Sequence, residues 1–259
     1  MNNSTINTEQ GHWILAKMGK RVLRPGGKEL TEKLIQGLRI SSDDSIVEFA
    51  PGLGYTASVL LSKHPKKYIG VEINEEAALN LTHKLNGMSQ IAVLNCSAAH
   101  TGLSDACSDK VVGEAMLTMQ ADHRKSEIIR EAFRILKNGG QYGIHELGLK
   151  PDDIGDDIKH TIQQSLAQTI KVNARPLTKQ EWCTLLIKEG FAISEIYESP
   201  MHLLRASRVI SDEGIFRTLK IGFNILTHHR ARKRIVEMRK VFEKYESQMV
   251  AYAIIARKP

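Results

Sequence analysis

No apolar run in this 259-residue chain approaches the roughly 18–20 residues that a bilayer span requires. The opening MNNSTINTEQGHW lacks a basic segment followed by an apolar one, so no secretory leader is expected. Cysteine is scarce. Cys96, Cys107 and Cys183 form no CxxC pair, and their odd number disfavours a disulfide framework. A zinc site is therefore not expected, no other metal is indicated, and a reducing, cytoplasmic compartment fits best. No repeat or low-complexity segment is evident. What remains is an ordinary globular composition, 42% hydrophobic and 25% charged, long enough for one α/β core with an elaboration.

Charge is unevenly placed. Residues 1–198 carry 23 basic and 24 acidic side chains, and residues 199–259 carry 13 against 5. The net charge of +7 thus belongs to the C-terminal segment.

From Ser45 onward, β-branched runs alternate with helical patterns. SIVEF, KYIGVEI, IAVLN, KVVGEAM and QYGIHEL read as strands, separated by helices such as NEEAALNLTHKL and HRKSEIIREAFRILK. Asn74 is a candidate N-cap for the first of these, and NGG ends the second. Strands joined by helices through short junctions imply parallel βαβ units. LTKQEWCTLLIKEGF is a helix opened by Thr178 and closed by Gly190, while DDIKHTIQQSLAQTI looks like an exposed helix. AISEIYE is a sixth strand and VAYAIIA the last. The expected fold is an α/β, doubly wound, mostly parallel seven-stranded Rossmann-like sheet. Its last strand is antiparallel and preceded by a helical insertion. That insertion reads as two helices. The first groups Ile215, Leu219, Phe223 and Leu226. The second groups Ile235, Met238, Phe242 and Tyr245, opposite Arg230, Lys233, Arg234 and Lys240. The corresponding divisions are a helical cap over 1–43, a core over 44–198, the insertion over 199–247 and the last strand over 248–259.

The segment IVEFAPGLGYTA carries the most chemistry. Gly52 and Gly54 follow an apolar run that Glu48 interrupts, suited to a backbone that passes close to a ligand. The absence of Gly-Lys-Ser/Thr excludes a P-loop. GLGYTA also fits G-x-G-x-x-A, and Glu72 at the end of the second strand can accept from both hydroxyls of a ribose. Those two features serve a nicotinamide dinucleotide or S-adenosylmethionine equally.

Three further features separate the two. E-x-A-x-G-x-G from Glu48 to Gly54 resembles the first motif of class I S-adenosylmethionine-dependent methyltransferases. CSAAHTGLSDACSDKVV resembles the G-D-A-x-x-L-P-F to F-D-x-V-V segment of their ubiquinone/menaquinone-biosynthesis type. EAFRILKNGGQYGIHEL resembles the R-V-L-K-P-G-G turn and fifth strand. The resemblance spans Arg24 to Leu147 and implies S-adenosylmethionine as cofactor. It puts the Ala50, Gly52 and Gly54 backbone under the methionine and ribose, with Glu48 in the preceding strand. Glu72 is then placed at the ribose diol and Ile73 against adenine. Cys96, Ser97 and Ala98 fall along the adenine edge and Gly113 at the methionine amino group. Separately, RPGG before the helix ELTEKLI reads either as a loop that closes over the methionine carboxylate with Arg24 or as a plain loop. Ser97 replaces the usual aspartate, and Ala50 the first glycine, a change tolerated at negative φ. With the acid at Glu72 the three resemblances make four motifs in the right order, far more specific than any one of them.

Glu114 and Glu146, at the tips of the fourth and fifth strands, are the candidate catalytic bases. His145 alternates with Glu146, so the two cannot face one pocket equally. Such a base is needed only for a hydroxyl or weakly acidic carbon acceptor. A small-molecule acceptor is favoured over nucleic acid. HHRARKRIVEMRK can lie on phosphates, but no N/D-P-P-Y/F tetrapeptide or Pro-Cys pair occurs, and aromatics for base stacking are few. RNA methylation and non-catalytic cofactor binding are the alternatives. For the inserted helices, a lid over the acceptor is favoured over a homodimer contact or an anionic membrane surface.

Overall fold

Ile46 and Val47 are sequence neighbours, yet their side chains enter opposite layers of core, as the pleat of a strand requires. The computed structural model describes residues 10–85 and 90–259. The first half comprises α1 (Gly11–Lys17), α2 (Gly27–Gly37), β1 (Ser45–Phe49), α3 (Tyr55–Leu61), β2 (Lys67–Val71), α4 (Glu75–Leu85), β3 (Ile91–Leu94) and β4 (Ser108–Glu114). Next come α5 (Asp122–Ile135), β5 (Leu136–Leu149), α6 (Asp156–Ile170), β6 (Leu177–Thr178), α7 (Lys179–Lys188) and β7 (Ala192–Pro200). The chain closes with α8 (Ala206–Glu213), α9 (Ile215–Thr227), α10 (His229–Lys244) and β8 (Met249–Arg257).

Seven strands run in the order β3-β2-β1-β4-β5-β8-β7, with β8 antiparallel to both neighbours. An eighth piece, the two-residue β6, pairs with Gly148 and Leu149. It can do so because β4 pairs with β5 only as far as His145, which leaves the longer strand's end free. The helix before NGG stops earlier than its periodicity suggests. Ile135 is its last residue, and Leu136 already pairs with Ser108.

Helices cover both faces. Val47, Phe49 and Val111 meet Ile128, Ile129 and Trp182 on one side, while Ile46, Tyr68 and Val112 meet Leu30, Leu34 and Leu60 on the other. Asn74 Oδ1 accepts from the Ala77 N–H, and Thr178 forms a reciprocal capping box with Glu181.

A third apolar cluster lies beneath the insertion. Ile162 and Leu166 of α6 are buried in it with Ile235, Met238 and Phe242 of α10, so α6 is an internal partner rather than an exposed helix. The insertion holds three helices, because Gly214 ends α8 and Ile215 starts α9. Along α10 the stripe that the sequence groups together, Ile235, Met238, Phe242 and Tyr245, is buried. In α9 the expected packing stripe is turned outward, and Ile221 takes the buried position. No helix among the described residues is long and apolar enough to cross a membrane.

Candidate functional site

A cleft of about 550 Å³ opens at the carboxyl ends of β1, β2 and β4, where parallel sheets bind ligands. Its two ends are chemically unlike. One is built from strand tips and glycine backbone, the other from α1, α6, α10 and the segment after β7.

At the polar end, Ala50, Gly52, Glu72, Ile73, Ser97 and Ala98 all line the wall. Gly52 has φ +51°, and a Cβ built on it would meet only the Ala50 carbonyl oxygen, at 4.0 Å. Its bare backbone therefore faces the open cleft. Gly54 has another task. It caps α3 at φ +73°, and a Cβ there would approach Leu81 Cδ1 to 2.6 Å, so this glycine permits the helix to pack. Ala50 adopts φ +52°, so the condition under which alanine replaces the glycine without cost, a negative φ, is not met. The turn keeps a glycine-like backbone although the residue carries a Cβ, at a cost of about 1–2 kcal/mol.

Glu72 is nearly buried at the end of β2. Its Oε2 accepts from the Gly52 N–H at 3.1 Å and its Oε1 from the Asn74 N–H at 2.9 Å. The carboxylate is thereby fixed in orientation, and each oxygen retains a second lone pair. Ser97 Oγ accepts from Arg124 Nη2 at 3.0 Å and from the Ala99 N–H at 3.2 Å. Cys96 turns away from the wall: its Sγ contacts the Thr101 carbonyl oxygen at 3.6 Å and packs on the core. Gly113 likewise sits behind the wall, 3.5 Å from Tyr142 Oη when a Cβ is added.

Between the two ends lies a buried ionic knot. Glu114 Oε2 accepts from Arg24 Nη1 and from Thr56 Oγ1. Its Oε1 accepts from Thr31 Oγ1 at 2.7 Å and faces His145 Nδ1 at 2.8 Å. The other ring nitrogen of His145 contacts the Pro25 carbonyl oxygen. Although burial alone would raise its pKa, the Arg24 charge and the His145 bond hold Glu114 at about 2. Arg24 also lies over the Tyr55 ring, 4.8 Å from its centroid. The knot thus ties α2, α3, β4 and β5 to the segment before α2, and both oxygens of the Glu114 carboxylate are engaged twice.

Glu146 is no part of the wall. Its carboxylate accepts from the N–H groups of Met116, Leu117 and Thr118 and from Thr118 Oγ1, at 2.6–3.0 Å. Burial pushes its pKa up against those four donors. It shapes the cleft by pinning the turn after β4, so the expectation that it serves as a base is corrected. Glu48 does line the cleft, accepting from Tyr68 Oη at 2.6 Å. Burial lifts its pKa to about 8, opposed by the Tyr68 bond and assisted by the Glu114 charge.

The apolar end contains Leu15, Leu166, Ile170, Met201, Met238 and Phe242. None of these figured among the sequence-derived site residues, and neither did Thr31, Thr56 or Arg124. Phe242 and Met238 carried a signal as an apolar stripe, but nothing local marks a stripe as cavity wall. Among the described residues, no group of His, Cys, Asp and Glu is arranged to hold a metal ion.

Residues 47–144 match the methyltransferase domain family. Together with that match, the strand order and the position of the cleft give the chain a class I S-adenosylmethionine-dependent methyltransferase fold. The chain is similar to an uncharacterized protein of Haemophilus influenzae, 34% identical over 253 residues that span 96% of this chain and 98% of the relative. Phosphoethanolamine N-methyltransferase 2 of Haemonchus contortus, solved with S-adenosyl-L-methionine, superposes with a TM-score of 0.73 at 17% identity. The match covers 98% of this chain and 58% of that one. The [4+2]-cyclase SpnF gives 0.72 at 14% identity, covering 97% and 94%. At such identities the likeness is one of fold, and the cyclase illustrates that this fold serves more than one reaction.

Proposed function

We propose that the protein transfers the methyl group of S-adenosylmethionine to a small acceptor with an apolar body. The observation that carries this reading is the division of one cleft into a glycine-lined polar end and an apolar chamber. The bare backbone at Gly52 leaves room for the cofactor, and the fixed carboxylate of Glu72 suits a ribose diol. Ile73, 66% exposed at the lip, offers an apolar platform for adenine, and Ser97 with the Ala98 backbone offers polar atoms for its edge. Arg24 steadies the wall through Glu114 and Tyr55 while itself lining the cleft.

Bound S-adenosylmethionine supplies an electrophilic methyl group, so the chain's part is chiefly to align the acceptor and exclude water. The wall residues are poorly suited to removing a proton from the acceptor. Glu114 is saturated by four partners, and Glu48 holds its proton at neutral pH. That favours an acceptor atom nucleophilic in its own right, such as an amine, a thiol or an already ionised oxygen or carbon. The motif likeness to the ubiquinone/menaquinone-biosynthesis type also supports a small-molecule acceptor over RNA.

A methyl-transfer screen tests the proposal. The protein is incubated with radiolabelled cofactor, cell metabolites fractionated by polarity, and total RNA. Label should enter an apolar metabolite fraction. Label confined to RNA, or to strongly polar metabolites, would overturn the assignment.

A further inference from the structure

The outer face of α9 is the most exposed apolar surface among the described residues. Phe216 is 90% exposed, and Ile215, Leu219, Phe223 and Leu226 are each 64–67% exposed. At helical spacing these five side chains occupy one arc of about 100°, with Lys220 along its edge. The opposite face of the same helix is well held. Ile221 is buried, Asn224 Nδ2 donates to the Met18 carbonyl oxygen at 3.0 Å, and Arg217 Nη1 donates to that of Gly19 at 3.3 Å. The outward stripe is therefore not a helix waiting to close on its own protein.

Charge around the stripe indicates what covers it. Residues 215–244 hold nine basic and two acidic side chains, a net +7 that equals the charge of the whole chain. Elsewhere, surface cations commonly meet carboxylates, as Lys28 does with Glu32 and Arg124 with Glu127. By contrast, Lys220, Arg230, Arg232, Lys233 and Lys240 have no carboxylate within 4.0 Å among the described residues.

We propose that the outer face of α9, with the basic start of α10, docks on an anionic lipid surface. A helix with an apolar arc edged by uncompensated cations lies in a membrane interface, its apolar side chains among acyl chains and its cations at the headgroups. A second copy of this chain fits less well, because a two-fold contact through the patch would press two strongly basic hairpins together. A nucleic acid would satisfy the cations but leave Ile215, Leu219 and Leu226 against sugar and phosphate. Docking is independent of the proposed reaction. The inner side of α10 lines the apolar chamber, so docking sets that chamber close to the bilayer.

Vesicle flotation with the full chain tests this. The wild type should float with vesicles of phosphatidylcholine and phosphatidylglycerol, and at least about tenfold less with phosphatidylcholine alone or in 1 M salt. The double variant Phe216→Gln/Phe223→Gln alters only exposed positions. It should keep its circular dichroism and lose binding at least about tenfold. A triple change of Arg230, Arg232 and Lys233 to Gln should remove the preference for anionic vesicles. Sedimentation velocity and RNA titration complete the test. Failure to float would overturn the proposal. A wild-type dimer that dissociates in the Phe double variant would overturn it too, as would RNA binding lost in that variant.

Discussion

The two ends of the cleft are made in opposite ways. The polar end is local: Ala50, Gly52 and Glu72 lie on consecutive strand tips of one βαβ unit, and Ser97 follows the next strand. The apolar end is assembled from α1, α6 and α10, so residues from Leu15 to Phe242 meet only when the chain is complete. A site built locally leaves a motif in the sequence, whereas a chamber built by long-range packing leaves only apolar periodicity. Between them, Arg24, Thr31, Thr56, Glu114 and His145 form the joint, and they too come from separated elements.

That joint gives the largest expected effect. Arg24→Met removes the cation from a buried carboxylate, which should lower stability by about 3–5 kcal/mol in denaturant unfolding. A loss under about 1 kcal/mol would mean that the knot does not hold the two ends together.

Sensitivity to pH should belong to the polar end. Glu48 has a folded pKa of about 8, above the ordinary value of 4.5. A carboxyl raised in this way favours the folded state below its ordinary value, and that advantage is lost as pH rises through 8. Between pH 6 and 8 the wild type should lose roughly 2 kcal/mol by this route, and Glu48→Gln should not. Parallel stability curves for the two proteins would refute the assignment. Glu114 works in reverse, since stability gained above its ordinary pKa disappears only as pH falls toward 2.

A polar group in the chamber should touch only acceptor binding. Met238→Gln is expected to raise the acceptor KM about tenfold, equivalent to ~1.4 kcal/mol, while cofactor affinity stays within twofold. Equal losses for both ligands would erase the division between the ends. The smallest effect concerns Ala50. Ala50→Gly relieves a left-handed backbone but frees the unfolded chain, so the net gain should be at most about 1 kcal/mol by thermal unfolding. A clear destabilisation would contradict the strained turn.

How much was legible follows the same division. SIVEF through QYGIHEL contained the parallel core, because strand and helix periods differ and Asn74 marks a helix start, whereas NGG lies within β5 rather than at its edge. The polar wall was legible at Gly52, Glu72 and Ser97 because these lining residues follow consecutive strand tips and leave a local motif. Glu146 misled, because adjacent strand residues alternate in direction while a motif only locates the strand tip. Thr31 and Thr56 were silent, since hydroxyls that bind a carboxylate 83 and 58 residues away resemble any helix threonine. In α9, periodicity identified which side chains share a face and not what that face meets. Its inner surface was filled instead by Ile221 and the hydrogen bonds of Asn224 and Arg217.

The account rests on the polar end being the cofactor end. Equilibrium binding of S-adenosylmethionine to the wild type and to Glu72→Ala tests it most directly, with folding of the variant checked by circular dichroism. Charge-assisted hydrogen bonds contribute about 1.5–3 kcal/mol each, so the variant should bind at least about tenfold more weakly. Unchanged affinity in a folded Glu72→Ala protein would contradict the account.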